Sequence, residues 1–240
     1  MPIWLKNNSI FISSVKMNNM KKIAFAFILT SVLGWSQEKK VGDFNKVTVF
    51  DQIDVILIPS AENKVLLNGS GSNQVELINK NGELKIRMPL TKMLSGDNIS
   101  ATVYYNSINA VEVNEGSHIG SESVIHAQNF SLIAKEGGSL DLPLEVQKLQ
   151  ARLNDGSEVN LSGQADEQDV LVNSGSVYSA ENMHTLKTTV TANAGGKAKI
   201  HASEYVDAKV RAGGEVTIFG KPKDIDKKVV MGGEIREAGE

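Results

Sequence analysis

A glycine turn that recurs about every twenty residues is the feature that most constrains how this chain folds. Between Val111 and Ile235 the copies read VNEGSHI, AKEGGSL, LNDGSEV, VNSGSV, ANAGGKA, RAGGEV and VMGGEI. A repeat of this length is typical of a solenoid, in which each unit buries its apolar side only by stacking on its neighbours. Each unit is too short for a pair of helices and alternates apolar with polar residues, so the sequence predicts about seven stacked rungs of β-strand.

Two columns of turn residues mark equivalent points in this repeat. Glycine adopts the positive φ that a tight turn requires, and asparagine tolerates the same conformation while it bonds its amide to the asparagine of the next rung. We therefore interpret both columns as structural. The glycines are Gly116, Gly138, Gly156, Gly175, Gly196, Gly214 and Gly233, and the asparagines are Asn114, Asn154, Asn173 and Asn193.

The part of the chain before the repeat also consists of short alternating segments separated by turn residues. These segments cover residues 44–50, 53–58, 64–69, 74–79, 83–88 and 99–105. Asn81-Gly82 predicts a type I′ hairpin, because both central residues of that turn need a positive φ. No segment has the periodicity of an amphipathic helix, so the fold class is predicted as all-β. Residues 37–105 are predicted to form an N-terminal cap and residues 106–240 the solenoid, continuous with the cap as one structural domain.

The first 36 residues have the pattern of an export signal. From Met20 a basic start is followed by an apolar run and small residues, and cleavage is predicted before Gln37. Met20 is then expected to be the true start of the protein, because the basic region belongs at the beginning of an export signal. The apolar run is shorter than the roughly 20 residues that span a bilayer, although an uncleaved N-terminal membrane anchor stays the alternative. The sequence therefore predicts an exported protein of the periplasm, the outer-membrane surface or the extracellular space, with no transmembrane segment in its mature chain.

Charge and cysteine content exclude several classes of partner and site. Residues 1–36 contain four lysines and no acidic residue, so their removal changes the formal net charge from −3 to −7. An acidic surface repels phosphate backbones, which argues against nucleic acid as a partner. The chain contains no cysteine, which excludes disulfides, iron–sulfur clusters and thiolate zinc sites.

Three features of the sequence together resemble a known family. The opening FNKVTVFDQIDVILIP (44–59), the strand ELKIRM (83–88) and the later Gly-Ser and Gly-Gly turns are similar to the head GIN domain family, exported proteins of Gram-negative bacteria of the autotransporter-adhesin type. The resemblance covers residues 44–236. It implies a right-handed parallel β-helix-like solenoid whose N-terminal end is closed by a β-meander cap, and it implies no catalytic residue, because the family has no accepted catalytic motif.

The sequence contains no residue pattern that predicts an enzyme active site. Glycoside hydrolysis requires two carboxylates that flank one groove, and no acidic pair is predicted on adjacent rungs of one column. The four histidines (His118, His126, His184 and His201) lack the spacing of a metal or catalytic motif, and they are predicted to be exposed or edge residues. We therefore predict that the protein is not an enzyme, and a polysaccharide lyase or hydrolase is the alternative.

One column of carboxylates is the candidate metal site. Glu115, Glu136 and Asp155 each directly precede a turn glycine or Gly-Gly pair, so stacking is predicted to bring them together. Ca²⁺ prefers oxygen ligands and would relieve their repulsion. The alternative is that all three side chains point into solvent, and no other cofactor is predicted.

The predicted function is non-enzymatic surface recognition of the adhesin type. The stacked strands are expected to present a polar face, with Lys187–Thr189 and Lys197–Lys199 as examples. A repeating face suits an extended glycan or an envelope protein as the partner. A structural component of the envelope is a further alternative, and a homo-oligomer stays open because uncapped solenoid ends can pair with other strands.

Overall fold

The computed structural model describes residues 37–238, so the predictions for the export signal lie outside the described residues. Between residues 37 and 238 there is no α-helix, and the two helical turns present, Ser72–Gln74 and Leu90–Lys92, are short 3-10 helices. In this described range no helix is long and apolar enough to cross a membrane. The strands are β1 (Gln37–Lys40), β2 (Lys46–Val49), β3 (Asp54–Pro59), β4 (Lys64–Gly69), β5 (Glu76–Lys80), β6 (Glu83–Arg87), β7 (Ile99–Tyr105), β8 (Ala110–Val113), β9 (His118–Gly120), β10 (Ile125–Ala134), β11 (Ser139–Leu153), β12 (Glu158–Val172), β13 (Val177–Asn193), β14 (Lys197–Arg211), β15 (Gly214–Phe219), β16 (Asp224–Val230) and β17 (Gly233–Glu237).

From β8 to β17 the chain winds as a solenoid of parallel strands. Each long strand runs from one turn to the next and pairs in parallel with the strand of the following layer. The β11–β12 and β12–β13 ladders are examples. The seven turns recognised by their glycines join these layers in order. The prediction of an all-β solenoid of about seven rungs is confirmed.

The core is a narrow aliphatic interior filled by every second residue. One column, taken through successive layers, contains Leu132, Ala151, Val170, Val190 and Ala208, and each is at most 1% exposed. This column contains only Leu, Val and Ala, whose side chains can fill a narrow interior at the roughly 4.8 Å spacing of paired strands. Burial of the aliphatic side chains therefore depends on the stacking of the layers.

The turns place two residues in succession at positive φ. In the first turn these are Glu115 at 54° and Gly116 at 69°. In the Gly-Gly turns the first glycine has this conformation, as Gly195 does at 75°. Gly196 is the second, and a Cβ there would lie 2.4 Å from the carbonyl oxygen of Val172 in the preceding layer. The glycines chosen by spacing thus occupy two positions: Gly116, Gly156 and Gly175 lie at the left-handed turn site, and Gly138, Gly196, Gly214 and Gly233 lie one residue after it.

The first strands of the described chain are inserted into the stack out of sequence order. β2 pairs in parallel with β6 on one side and with β8 on the other, and β3 pairs in parallel with β7 and β9. The outer edges of this end are covered by antiparallel strands, with β5 on β6, β4 on β7 and β1 on β4. The β5–β6 hairpin has Asn81 at φ 54° and Gly82 at φ 78°, as the type I′ prediction requires.

Alternating charges hold the inserted layer in place. The Lys46 Nζ lies 2.7 Å from Glu112 Oε2 and 3.1 Å from Glu83 Oε1, and the Lys135 Nζ lies 3.1 Å from Glu112 Oε1. These four residues belong to four neighbouring layers, and the Glu112 side chain is only 15% exposed. Burial raises the pKa of Glu112, but the hydrogen bonds from Lys46 and Lys135 outweigh it, so the pKa lies below its ordinary value.

We expect Glu112 to contribute to the loss of stability in acid. Its folded pKa is below its unfolded value, so its contribution is full above the unfolded pKa of about 4.3 and is lost as the pH falls through the lower folded pKa. Glu112→Gln keeps the shape of the side chain and removes the charge. At pH 7 this variant should lose about 1.5–3 kcal/mol of unfolding free energy, because hydrogen bonds to charged groups have this magnitude.

Urea denaturation at pH 7 and at about pH 3.5 measures both effects. The difference between wild type and Glu112→Gln should shrink at the lower pH, because the Glu112 carboxyl of the unfolded chain is largely protonated below its pKa of about 4.3. Glu158→Gln, at an exposed position of β12, is the matched control and should change stability by less than about 0.5 kcal/mol. An unchanged difference between wild type and Glu112→Gln at the two pH values would contradict this role.

The last layer ends the stack with an ion pair. Lys227 lies opposite Ala208 and Glu237 lies opposite Ile218, so both occupy positions that are aliphatic in the layer below. Their side chains form an ion pair with each other. Charged side chains at inward positions of a free edge oppose pairing with another chain. This ion pair therefore opposes strand pairing at these two positions of the last described layer.

Candidate functional site

Two grooves run along the stack on the two sides of one corner. At this corner the alternation is interrupted, and two successive residues of each strand face solvent, as Gln147 and Lys148 do. The first groove has a volume of about 690 Å³ and the second about 610 Å³. We call the first the polar groove; its lining residues are Asn109, Ala110, Asn129, Phe130, Ser131, Lys148, Leu149, Gln150, Glu167, Gln168, Asp169, Lys187, Thr189 and Tyr205.

One register column forms the outer wall of the polar groove. Asn129, Lys148, Glu167, Lys187 and Tyr205 pair in register through five successive layers. At the roughly 4.8 Å spacing of paired strands this column is about 19 Å long. Lys148 and Glu167 form an ion pair at 3.4 Å. The groove thus offers hydrogen-bonding side chains at regular intervals along an extended path.

An aromatic side chain closes one end of the polar groove. The Tyr205 hydroxyl donates a hydrogen bond to Asp226 Oδ2 at 2.7 Å. This hydrogen bond raises the pKa of Tyr205. Because the hydroxyl is held by the next layer, the orientation of the ring is fixed. An oriented aromatic face beside polar side chains is a surface on which an apolar face of a ligand can pack.

A chain of hydrogen bonds lies in the core directly beneath the polar groove. The Tyr178 hydroxyl donates to Gln168 Oε1 at 2.9 Å, and Gln168 Nε2 donates to Thr188 Oγ1 at 2.8 Å. Thr188 and Thr185 bond through their hydroxyls at 2.8 Å, and Thr185 donates to the His201 carbonyl oxygen at 2.7 Å. Sequence reasoning placed Thr188 on the outer face with Lys187 and Thr189. That expectation was wrong for Thr188, which is 1% exposed.

The second groove contains a column of histidines that sequence reasoning missed, and we call it the histidine groove. His126, Glu145, Gln164, His184 and His201 lie in register in five successive layers. Motif spacing could not find this column, because its members are about one repeat apart in sequence. The signal is the separation of 58 residues between His126 and His184, which equals three repeats.

The two ends of the histidine column differ in their partners. His126 Nδ1 lies 3.2 Å from Glu145 Oε2. His184 Nδ1 lies 3.2 Å from His201 Nε2, and the two rings meet edge to face with centroids 4.2 Å apart. Burial and the adjacent His184 lower the pKa of His201. The fourth histidine is elsewhere, with His118 Nδ1 3.0 Å from Ser139 Oγ.

The three carboxylates of the predicted calcium site lie in consecutive turns, but they do not converge. Glu115 Oε2 instead accepts a hydrogen bond from the Asp51 backbone N–H at 3.2 Å. Burial, together with the charges of Asp51 and Glu136, raises the pKa of Glu115. Glu136 and Asp155 are exposed. Among residues 37–238 no group of three or more histidine or acidic side chains could hold a metal ion.

The asparagine column forms a ladder over three layers. Asn173 Nδ2 donates to Asn154 Oδ1, and Asn193 Nδ2 donates to Asn173 Oδ1, each at 2.9 Å. Asn114 stands apart from them, and its Nδ2 lies 3.5 Å from the Val49 carbonyl oxygen. These two bonds join the turns of successive layers. Asn193 Oδ1, at the end of the ladder, is buried and has no hydrogen-bond partner among residues 37–238.

Comparisons with known proteins agree with this architecture. A family model described as "Putative auto-transporter adhesin, head GIN domain" matches residues 43–222. No curated protein matches the chain. A crystal structure of a "putative adhesin" from Bacteroides fragilis is similar with a TM-score of 0.79 at 19% identity, and the match covers 85% of this chain and 96% of that chain.

Two structures from Parabacteroides are similar over the same share of this chain. A "putative adhesin" from Parabacteroides merdae has a TM-score of 0.66 at 16% identity, and 95% of it is covered. A "putative lipid binding protein" from Parabacteroides distasonis has a TM-score of 0.69 at 14% identity, and 96% of it is covered. At these identities the three structures establish the shared fold.

Proposed function

Because this chain belongs to the head GIN domain family of auto-transporter-type adhesins, we propose that it recognises an external glycan through the polar groove. The observation that carries this proposal is the groove itself. Amide, hydroxyl and charged side chains repeat along it in register over five layers, and Tyr205 stands at one end. A polymer of similar units can make similar contacts in successive layers, so each layer adds to the affinity.

The chemistry of the groove favours a carbohydrate over a protein segment. Asn129, Gln150 and Thr189 can both donate and accept hydrogen bonds, which matches the hydroxyl groups of a sugar. The ring of Tyr205 offers an apolar surface for the C–H face of a sugar ring. Both backbone edges of the strands inside the groove are already paired, so a peptide cannot bind there by adding a strand.

The carboxylates beside the groove support binding rather than hydrolysis. Asp169 is held by Arg152 at 2.8 Å, Glu167 by Lys148 at 3.4 Å, and Asp226 by Tyr205. A general acid needs a raised pKa, which burial away from cations provides. Each groove carboxylate is already engaged by a cation or a hydroxyl donor. We therefore propose a non-enzymatic protein that is exported and acts in the periplasm, at the outer-membrane surface or outside the cell.

A glycan array followed by titration of the best ligand tests this function. The double variant Lys187→Ala/Tyr205→Ala removes one cation and the aromatic ring from the groove. It should weaken binding at least about tenfold, because each such contact contributes on the order of 1 kcal/mol and 1.4 kcal/mol corresponds to tenfold. Circular dichroism should show an unchanged fold, since both side chains lie at the surface.

The matched control is Lys197→Ala/Lys199→Ala, which removes two lysines of β14 that line neither groove. This variant should bind the glycan as the wild type does. Equal weakening by the two double variants would indicate charge attraction without a defined site. Release of reducing ends or unsaturated sugars during incubation would favour the alternative of a polysaccharide-active enzyme, and the absence of any glycan ligand would favour a structural envelope component.

A further inference from the structure

We propose that His184 and His201 chelate a divalent transition-metal ion such as Zn²⁺ in the histidine groove, a site separate from the polar groove and independent of the glycan proposal. Both side chains belong to adjacent layers, in β13 and β14, and pair in register. Both line an open groove, so an ion can reach them from solvent. Imidazole nitrogen is a preferred ligand of zinc, copper and nickel.

The distance between the two rings fits chelation. His184 Nδ1 and His201 Nε2 are 3.2 Å apart. Two imidazole nitrogens bound to one Zn²⁺ at about 2.0–2.1 Å and at a tetrahedral angle are about 3.3 Å apart. The ring centroids are 4.2 Å apart, and two imidazoles on one tetrahedral ion have centroids about 5 Å apart, so the rings would rotate apart by about 1 Å while the two nitrogens keep their separation. The paired strands hold the two residues at this separation, so little side-chain freedom is lost on binding.

Metal binding determines which nitrogen of each ring carries the proton. In the neutral pair one of the two facing nitrogens carries a proton, because the rings share a hydrogen bond. Binding of the ion requires that this proton move to the other nitrogen of the same ring. For exposed His184 that nitrogen is Nε2, which can donate to water. For His201 it is Nδ1, which is buried and has no hydrogen-bond partner among the described residues, so the bound form leaves this N–H unpaired at a cost in affinity. Burial also favours the neutral form of His201, which is the form that binds a metal.

Irregular pairing marks the backbone at this site. The β13–β14 register shifts between Ala180 and His184 and again between Thr185 and Lys187. Such bulges re-aim side chains and occur often beside functional sites. Here they bring the two rings edge to face in the groove. Both residues line the groove, so water or a donor atom of an external ligand could complete the coordination of a bound ion.

Isothermal titration with ZnCl₂, using untagged protein in a buffer free of chelators, tests the site. The wild type should bind one ion, and its melting temperature should rise with the Zn²⁺ concentration. His184→Ala and His201→Asn should each weaken binding at least about tenfold. The matched control is His126→Ala, which removes a histidine of the same column that pairs with Glu145, and this variant should bind as the wild type does.

Nitrogen-15 spectra of the histidine rings provide a readout that does not depend on stability. Addition of Zn²⁺ should shift His184 Nδ1 and His201 Nε2 and leave His126 unchanged. Absence of binding up to about 1 mM Zn²⁺ would overturn the proposal, as would equal losses in His126→Ala and His184→Ala. A variant that fails to fold would be recognised by its circular dichroism, and the ring shifts of the wild type would then decide the question.

Discussion

Tyr178→Ala should lower the free energy of unfolding by about 4 kcal/mol, since truncation of a buried aromatic side chain costs about 3–5 kcal/mol. Tyr178 is fully buried, and in the stack it lies between Val159 and Ala198 of the neighbouring layers. Its removal leaves a cavity that two rigid ladders cannot close. It also removes the only hydroxyl shown to donate to Gln168 Oε1 in the described structure, so a buried acceptor loses its donor.

Urea denaturation followed by circular dichroism measures this loss. Tyr178→Phe is the matched variant, because it keeps the ring and removes only the hydroxyl. It should lose about 1–2 kcal/mol, the cost of one buried polar group without its partner. A loss below about 1 kcal/mol for Tyr178→Ala would contradict the packing role, and equal losses for the two variants would assign the whole effect to the hydrogen bond.

Gly163→Val should prevent stable folding, with a loss of more than about 5 kcal/mol. Gly163 has a φ of 111°, a conformation that non-glycine residues rarely adopt. A Cβ at this position would lie 2.1 Å from the Leu144 carbonyl oxygen, which belongs to the adjacent strand β11. That oxygen cannot move away without breaking the β11–β12 ladder, because Leu144 and Gly163 are register partners.

The control for this variant is Gly156→Asn in a neighbouring turn. Gly156 also has a positive φ, of 71°, but no atom lies within 4 Å of a Cβ built there. Asparagine tolerates this conformation, so the variant should lose less than about 1 kcal/mol. Soluble expression and urea denaturation of both variants provide the comparison. A Gly163→Val protein that unfolds at the wild-type urea concentration would contradict the close approach of β11 and β12.

The repeat and the all-β fold class could be predicted from the sequence, because both depend on patterns within short segments. Alternation of apolar residues and the recurring turn glycines appear within each unit. The spacing did not predict which role each turn glycine has. Gly195 and Gly196 are adjacent, and each position requires glycine for a different reason. Gly195 has a positive φ, and Gly196 approaches a carbonyl of the preceding layer. Spacing alone does not distinguish conformation from close approach.

The insertion of β2 and β3 between later strands could not be predicted from the period. A repeat defines which residues face inward, and it does not define which layers are neighbours. The neighbours are selected by contacts that are distant in sequence, such as Lys46 with Glu112. Thr188 was misplaced for a local reason: at the corner two successive residues of each strand face solvent, Leu186 and Lys187 in β13, so simple alternation loses its phase just before Thr188.

A crystal structure of the protein bound to the oligosaccharide that the glycan array identifies tests most directly whether the polar groove is the ligand site. We expect the sugar chain to lie along the groove, with hydrogen bonds to Lys148 and Lys187 and one ring against Tyr205. Density for the sugar on another face, with these three side chains unoccupied, would contradict the proposed function.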